Sequence, residues 1–190
     1  MTTTRMRPEH GSRFHEPNTL LYNTSARLSY HDAERDDDRI YCGIRDVLSG
    51  HDGNEDKLNF FVPSAAGQGR LLENIYSRNN SDTQKLLFVE VHDTGTPVGD
   101  PIEANCLGRF VNRSTLNSPL LLGSIKSNLG HSEGANGVAS LIKAAMCIYH
   151  RGITANMQFT SLNPKIEAQN IIYIFFKILY HFQLFQIMKK

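Results

Sequence analysis

The 190 residues carry 20 basic and 19 acidic side chains, a formal net charge of +1 and a hydrophobic share of 40%. These are values of an ordinary globular chain holding one core, or of a piece of a larger domain, and they exclude a low-complexity or fibrous protein. The basic residues are scattered, with no lysine and arginine block to displace counterions from a phosphate backbone, so nucleic acid is not an expected partner.

Along the chain, residues 1–30 are polar and broken by Pro8, Gly11 and Pro17, which predicts a poorly ordered lead-in. No apolar run follows Arg5, Arg7 and Arg13, so a secretory signal is not expected. Cys42, Cys106 and Cys147 are far apart and form no CxxC pair, which argues against a zinc site or disulfide framework and suits a cytoplasmic protein. In Arg39–Val47 the residues Ile40, Cys42 and Ile44 alternate and predict a strand. Asp52, Asn54 and Asp56 imitate the start of a calcium loop, but Lys57 replaces the glycine and Pro63 the closing glutamate, so no metal is expected.

Beyond Pro63, Leu71, Leu72, Ile75 and Tyr76 recur at helical spacing, with Ser64 as N-cap and with Gly67 and Gly69 weakening the helix. Leu86–Val91 reads as a strand that runs into His92. Asp100-Pro101-Ile102-Glu103 predicts a capping box opening a helix whose inner side is Ala104, Leu107 and Val111. Leu120–Ile125 is a second short apolar strand, ending at Lys126-Ser127-Asn128. From Glu133 to about His150, Val138, Leu141, Ile142, Ala145, Met146 and Tyr149 predict an amphipathic helix with that face inward, terminated by Gly152. Strand, polar motif and helix thus occur twice, which predicts a mixed α/β layer architecture with its ligand site at the strand ends.

Two of these segments are long enough to be distinctive: Val91-His92-Asp93-Thr94-Gly95-Thr96-Pro97-Val98-Gly99-Asp100-Pro101-Ile102-Glu103-Ala104, and Gly123-Ser124-Ile125-Lys126-Ser127-Asn128-Leu129-Gly130-His131-Ser132-Glu133-Gly134-Ala135. They resemble the HGTGTPxGDPIEA and KSNxGHxEGA motifs of ketosynthase domains in polyketide synthases and animal-type fatty acid synthases, and weaker similarity extends over residues 31–168. The resemblance implies an α/β, thiolase-like fold, incomplete and mainly the C-terminal half of a ketosynthase, with a mixed sheet and flanking helices.

The activity it implies is a decarboxylative Claisen condensation, in which an acyl group on cysteine is extended from a malonyl thioester. Loss of carbon dioxide leaves an enolate whose charge needs donors nearby. By resemblance, His92 and His131 are the paired histidines that stabilise it, and Lys126 organises the second. Histidine suits this, because either ring nitrogen can be set as donor near neutral pH. Thr94 and Thr96 correspond to the threonines that bind a pantetheine arm. No cofactor is bound directly: the phosphopantetheine arm belongs to an acyl carrier protein, the implied partner, and the parent domain is implied to be a homodimer. Taken singly, each histidine reads as a satisfied polar group at a strand end. Asp100 and Glu103 are explained by capping, and Glu133 is either a helix-start charge or a partner for Lys126.

The chain departs from the family pattern in three places. A cysteine segment resembling DTACSSS is not present, so the chain is expected not to condense anything alone, and its three cysteines are expected to pack as small apolar groups. A glycine-rich GFGGTNAH-like segment does not follow Asn163-Pro164. Asp93 stands where the motif has glycine, which is expected to strain the turn or crowd the arm. Residues 31–170 therefore read as a partial ketosynthase domain and 171–190 as an apolar, non-family tail. In that tail Ile171, Phe175, Ile178, Phe182 and Phe185 allow an amphipathic helix, while Lys177, His181 and Gln183 argue against a membrane span. Other readings in view are a noncatalytic protein that docks a pantetheine arm or a partner synthase, and a metal hydrolase using His92, Asp93, Asp100 and His131 without convincing ligand spacing.

Overall fold

The computed structural model describes residues 29–52, 62–112, 120–157, 160–167 and 180–181. The chain divides into two compact units, Met1–Val47 and Leu48–Lys190. In the first, helix α1 (Ser29–Arg35) ends with Arg35 paired to Asp32 at 2.7 Å and Asp36 at 2.9 Å, all exposed. No strand forms in 39–47, correcting the alternation-based expectation. Ile40 is exposed and Cys42 and Ile44 are only half-buried, and a strand without a ladder partner leaves its amides unpaired.

The second unit opens with α2 (Ala65–Arg78), whose N-cap Ser64 accepts the Gly67 N–H at 3.0 Å, as the sequence predicted. Asp52 accepts from the Ser64 N–H at 3.0 Å, so its carboxylate serves the helix start rather than a cation. Residues 53–61, with Asn54 and Asp56, lie outside the described residues. Strand β1 (Phe88–Glu90) follows, then α3 (Gly99–Val111) and β2 (Leu121–Gly123). β1 and β2 pair in parallel, Phe88 opposite Leu121 and Glu90 opposite Gly123. A short helix α4 (Lys126–Leu129) leads to α5 (Asn136–Tyr149) and β3 (Gly152–Ile153), which pairs antiparallel with β4 (Tyr180–His181). Two parallel strands, each followed by a helix, make the predicted βα alternation concrete.

The core lies between this strand pair and the two preceding helices. Val91, Leu107, Val111, Leu120 and Leu122 form the buried cluster, with Leu72, Leu86, Val89 and Phe110 packed on it. Tyr76 of α2 meets Phe110 of α3 edge-on at 5.0 Å. Ala104, Leu107 and Val111 point inward as their spacing predicted. Among the described residues, the polar side chains Ser64, Ser124, Lys126 and Lys143 are buried as well.

Three local expectations are corrected. The capping box at Asp100–Glu103 does not form: α3 starts at Gly99 after Val98, with no side-chain cap bond, because Glu103 and Asp100 are engaged elsewhere. Gly152 does not cap α5. His150 is the C-cap, and Arg151 takes the left-handed backbone at φ 53°. The apolar face of α5 is only partly inward: Val138, Ala145 and Met146 are half-buried and Leu141, Ile142 and Tyr149 exposed, while Lys143 and Cys147 are buried. Lys143 Nζ lies 2.8 Å from Glu90 Oε2, their side chains only 5% and 6% exposed, and the ammonium stands over the Phe88 ring at 5.5 Å. Gly123 permits this approach, since a Cβ there would lie 3.0 Å from Phe88 and 3.3 Å from Lys143 Nζ.

Of the expected tail, only Tyr180 and His181 are described, and they are in a strand. Among the described residues no helix is long and apolar enough to cross a membrane.

Breaking the buried pair leaves a charge without a partner. Lys143→Met is expected to destabilise the chain by about 3–5 kcal/mol in urea unfolding, and Glu90→Gln/Lys143→Met to recover most of it. A single variant no less stable than the double one contradicts the pairing.

Candidate functional site

Both distinctive motifs begin where a strand of the parallel pair ends, so adjacency of β1 and β2 brings them together. His92 follows β1 by two residues, and His131 follows α4, the turn that β2 feeds. Their rings meet edge to face, centroids 5.3 Å apart and planes at 89°. Both are exposed, so the pair opens outward from the strand ends.

Glu103 holds the first histidine loop. Its carboxylate accepts the backbone N–H of His92 at 2.9 Å and of Asp93 at 3.1 Å, one oxygen each. This is the use of Glu103 that capping statistics hid: the residue reaches across to the preceding loop instead of back to its own helix start. Asp100 accepts from the Thr96 hydroxyl at 3.1 Å, which pins the turn between loop and helix. Thr94 is half-buried and Thr96 exposed on the same loop. Gly95, at φ 82°, takes the left-handed backbone that glycine adopts without strain.

Asp93 adopts φ 34°, a left-handed backbone suited to glycine. Its carboxyl is also crowded. Burial first, then the hydrogen bond and charge of Asp100 and the charge of Glu103, push its pKa up to about 7, with Lys126 pulling the other way. A small cavity behind it is lined by Asp93, Asp100 and Glu103 together with Val91, Leu122 and Asn156. Among the described residues no group of histidine, cysteine and carboxylate side chains is arranged to hold a metal.

The second loop is anchored from below. Lys126 is buried, and its ammonium lies 3.5 Å from Ser140 Oγ on α5. Glu133, the alternative partner considered for Lys126, is exposed at the start of a 3-10 turn. Glu90 Oε1 accepts the Ile125 N–H at 2.6 Å while Oε2 faces Lys143. Neither Glu90 nor Lys143 was singled out in the sequence. The only available signal was a glutamate in an apolar strand and a lysine amid small apolar residues of a helix, both of which read as solvent-facing.

A strap closes the far side of α3. Asn105 donates to the Lys165 carbonyl at 3.0 Å and accepts the Glu167 N–H at 2.8 Å, and Asn163 donates to the Pro97 carbonyl at 3.5 Å. Cys147 is buried in α5, and Cys106 donates weakly to the Ala65 carbonyl at 3.5 Å. Burial is the main cause that raises the Cys106 thiol's pKa.

Residues 41–160 match the family described as beta-ketoacyl synthase, C-terminal domain: the chain belongs to that family, and its fold is part of the thiolase-like α/β fold of solved ketosynthases. Over 142 residues it is 42% identical to probable polyketide synthase 17 of Dictyostelium discoideum, covering 74% of this chain and 6% of that protein. Probable polyketide synthase 42 of the same organism is also 42% identical over 142 residues, covering 72% of this chain and 5% of that protein. Among solved structures, the ketosynthase from module 1 of the bacillaene synthase of Bacillus amyloliquefaciens superposes with a TM-score of 0.68 at 32% identity, covering 75% of this chain and 26% of that one. The module 6 ketosynthase of the Bacillus subtilis synthase gives a TM-score of 0.69 at 31% identity, covering 80% and 27%. The chain therefore spans about a twentieth of its curated relatives and about a quarter of the solved ketosynthases.

The Asp93 carboxyl has a folded pKa above its unfolded value, so the native state binds the extra proton and stability falls as pH rises from about 4 through about 7. Asp93→Asn is expected to flatten that slope. Asp93→Gly is expected to flatten it and also raise stability by about 1 kcal/mol through relief of the left-handed backbone. Urea midpoints at a series of pH values check both, and an unchanged slope in Asp93→Asn contradicts the crowding.

Proposed function

We propose that this chain supplies the malonyl-facing part of a ketosynthase that extends acyl chains in polyketide or fatty acid biosynthesis. The observation that carries the reading is the edge-to-face approach of His92 and His131 at 5.3 Å, at the ends of two paired parallel strands. A malonyl thioester, presented on the phosphopantetheine arm of an acyl carrier protein, enters beside the two rings. Its carbon–carboxylate bond breaks, carbon dioxide leaves, and the electron pair moves onto the thioester oxygen as an enolate. One N–H from each histidine meets that oxygen, a donor pair in place before charge develops. The enolate carbon then attacks an acyl thioester held on a cysteine, and the thiolate departs.

Lys126 acts from beneath. Its buried charge opposes protonation of the carboxyl at Asp93, and by resemblance it organises the second histidine. Thr94 and Thr96 face the arm, whose amides need groups that both donate and accept. The Thr96 proton is committed to Asp100, so that hydroxyl meets the arm as an acceptor. None of the three cysteines lies in a nucleophile segment, so these 190 residues alone hold no acyl group and do not condense. The parent synthase works as a homodimer in the cytoplasm.

Residues 88–156 transplanted into an active polyketide ketosynthase test the assignment. His92→Ala and His131→Ala are each expected to lower malonyl decarboxylation by about 100-fold, the scale of losing one preorganised donor. Decarboxylation that survives both substitutions contradicts the role. The untransplanted chain, mixed with acyl and malonyl pantetheine thioesters, is expected to form no carbon–carbon bond.

A further inference from the structure

Ser124 is 1% exposed, and it stands at the end of β2 between the two histidine loops. Its hydroxyl donates to the His92 carbonyl at 3.4 Å and accepts the Lys126 N–H at 3.3 Å. One oxygen thus joins the backbone carrying the first histidine to the backbone that leads, through α4 and Gly130, to the second. The rest of Ser124 is equally committed. Its N–H donates to Asn156 Oδ1 at 3.0 Å, and its carbonyl accepts from the Ser127 hydroxyl at 2.8 Å. Ser127 Oγ in turn takes the Met157 N–H at 3.2 Å. An apolar residue would keep the two main-chain bonds and lose both made by the hydroxyl, leaving the His92 carbonyl and the Lys126 N–H without that buried partner.

The geometry points to Ser124 as a positioning residue for the histidine pair: its hydroxyl sets the separation of the two loops, and hence the distance between the rings. This rests on the reading that the pair acts jointly on a thioester, and it adds a residue whose side chain touches neither substrate nor ring. Glu90 provides the parallel tie one residue along, since its Oε1 holds Ile125. Ser124 differs in bonding to both loops through a single atom.

The test reads the histidines directly in the full chain by nuclear magnetic resonance of their imidazole protons, without substrate. In the native chain, rings meeting at 5.3 Å edge to face shift one another's signals, so His131→Gln moves the His92 resonances and His92→Gln moves those of His131. In Ser124→Ala this reciprocal shift is expected to be lost while the fold persists, and in Ser124→Thr, which keeps the hydroxyl, it is expected to remain. Tyr76→Leu, which removes the ring contact with Phe110 between α2 and α3, is expected to lower stability and leave the reciprocal shift intact. Ser124→Cys is the second variant without a hydroxyl. A native-size reciprocal shift in either folded variant lacking the hydroxyl overturns the proposal, as does failure of both to fold, which would make Ser124 a determinant of folding alone. Because no substrate is present, failure of the chain to bind a malonyl thioester would count against the proposed function and not against Ser124.

Discussion

Glu90 has both carboxylate oxygens committed, one to the buried ammonium of Lys143 and one to the Ile125 N–H. Through that single side chain β1, the start of α4 and the middle of α5 are held at fixed distances. A carboxylate and an ammonium removed from water are tolerable only when they meet, and keeping them together fixes which face of α5 turns inward. On the same helix Leu141, Ile142 and Ile148 are exposed while Lys143 is buried against Glu90. The start of α4 is tied to β1 through this same carboxylate.

Above the pair the site is built from opposed electrostatic demands. Glu103 accepts two backbone amides, and Asp100 accepts from Thr96. Asp93, forced among them on a left-handed backbone, is the group that gives way by holding its proton. A glycine there would remove both the strain and the third carboxyl. Asp93 is therefore the residue of the motif most at odds with its surroundings.

Much of this was legible in the sequence. The alternation of short apolar runs with polar motifs located β1 and β2, and Ser64 before the helical spacing of Leu71 to Tyr76 located the start of α2. The paired histidines could be named from their motifs, and the strand register brings their rings together edge to face. Three things were not legible. Ile40, Cys42 and Ile44 alternate like a strand, but alternation cannot supply a ladder partner. Asp100 and Glu103 have capping-box spacing, but their choice of a neighbouring loop over their own helix start depends on a contact made in three dimensions. Lys143 looked solvent-facing because its partner lies 53 residues earlier, on a strand that packs beneath it.

The central claim is that His92 and His131 act as one donor pair on a carrier-borne thioester. A crystal structure of the chain with a non-hydrolysable malonyl-pantetheine analogue tests it most directly. The account predicts the thioester oxygen within about 3 Å of a ring nitrogen of each histidine, with the arm running past Thr94 and Thr96. An analogue that reaches only one ring, or binds away from the ends of β1 and β2, would contradict it.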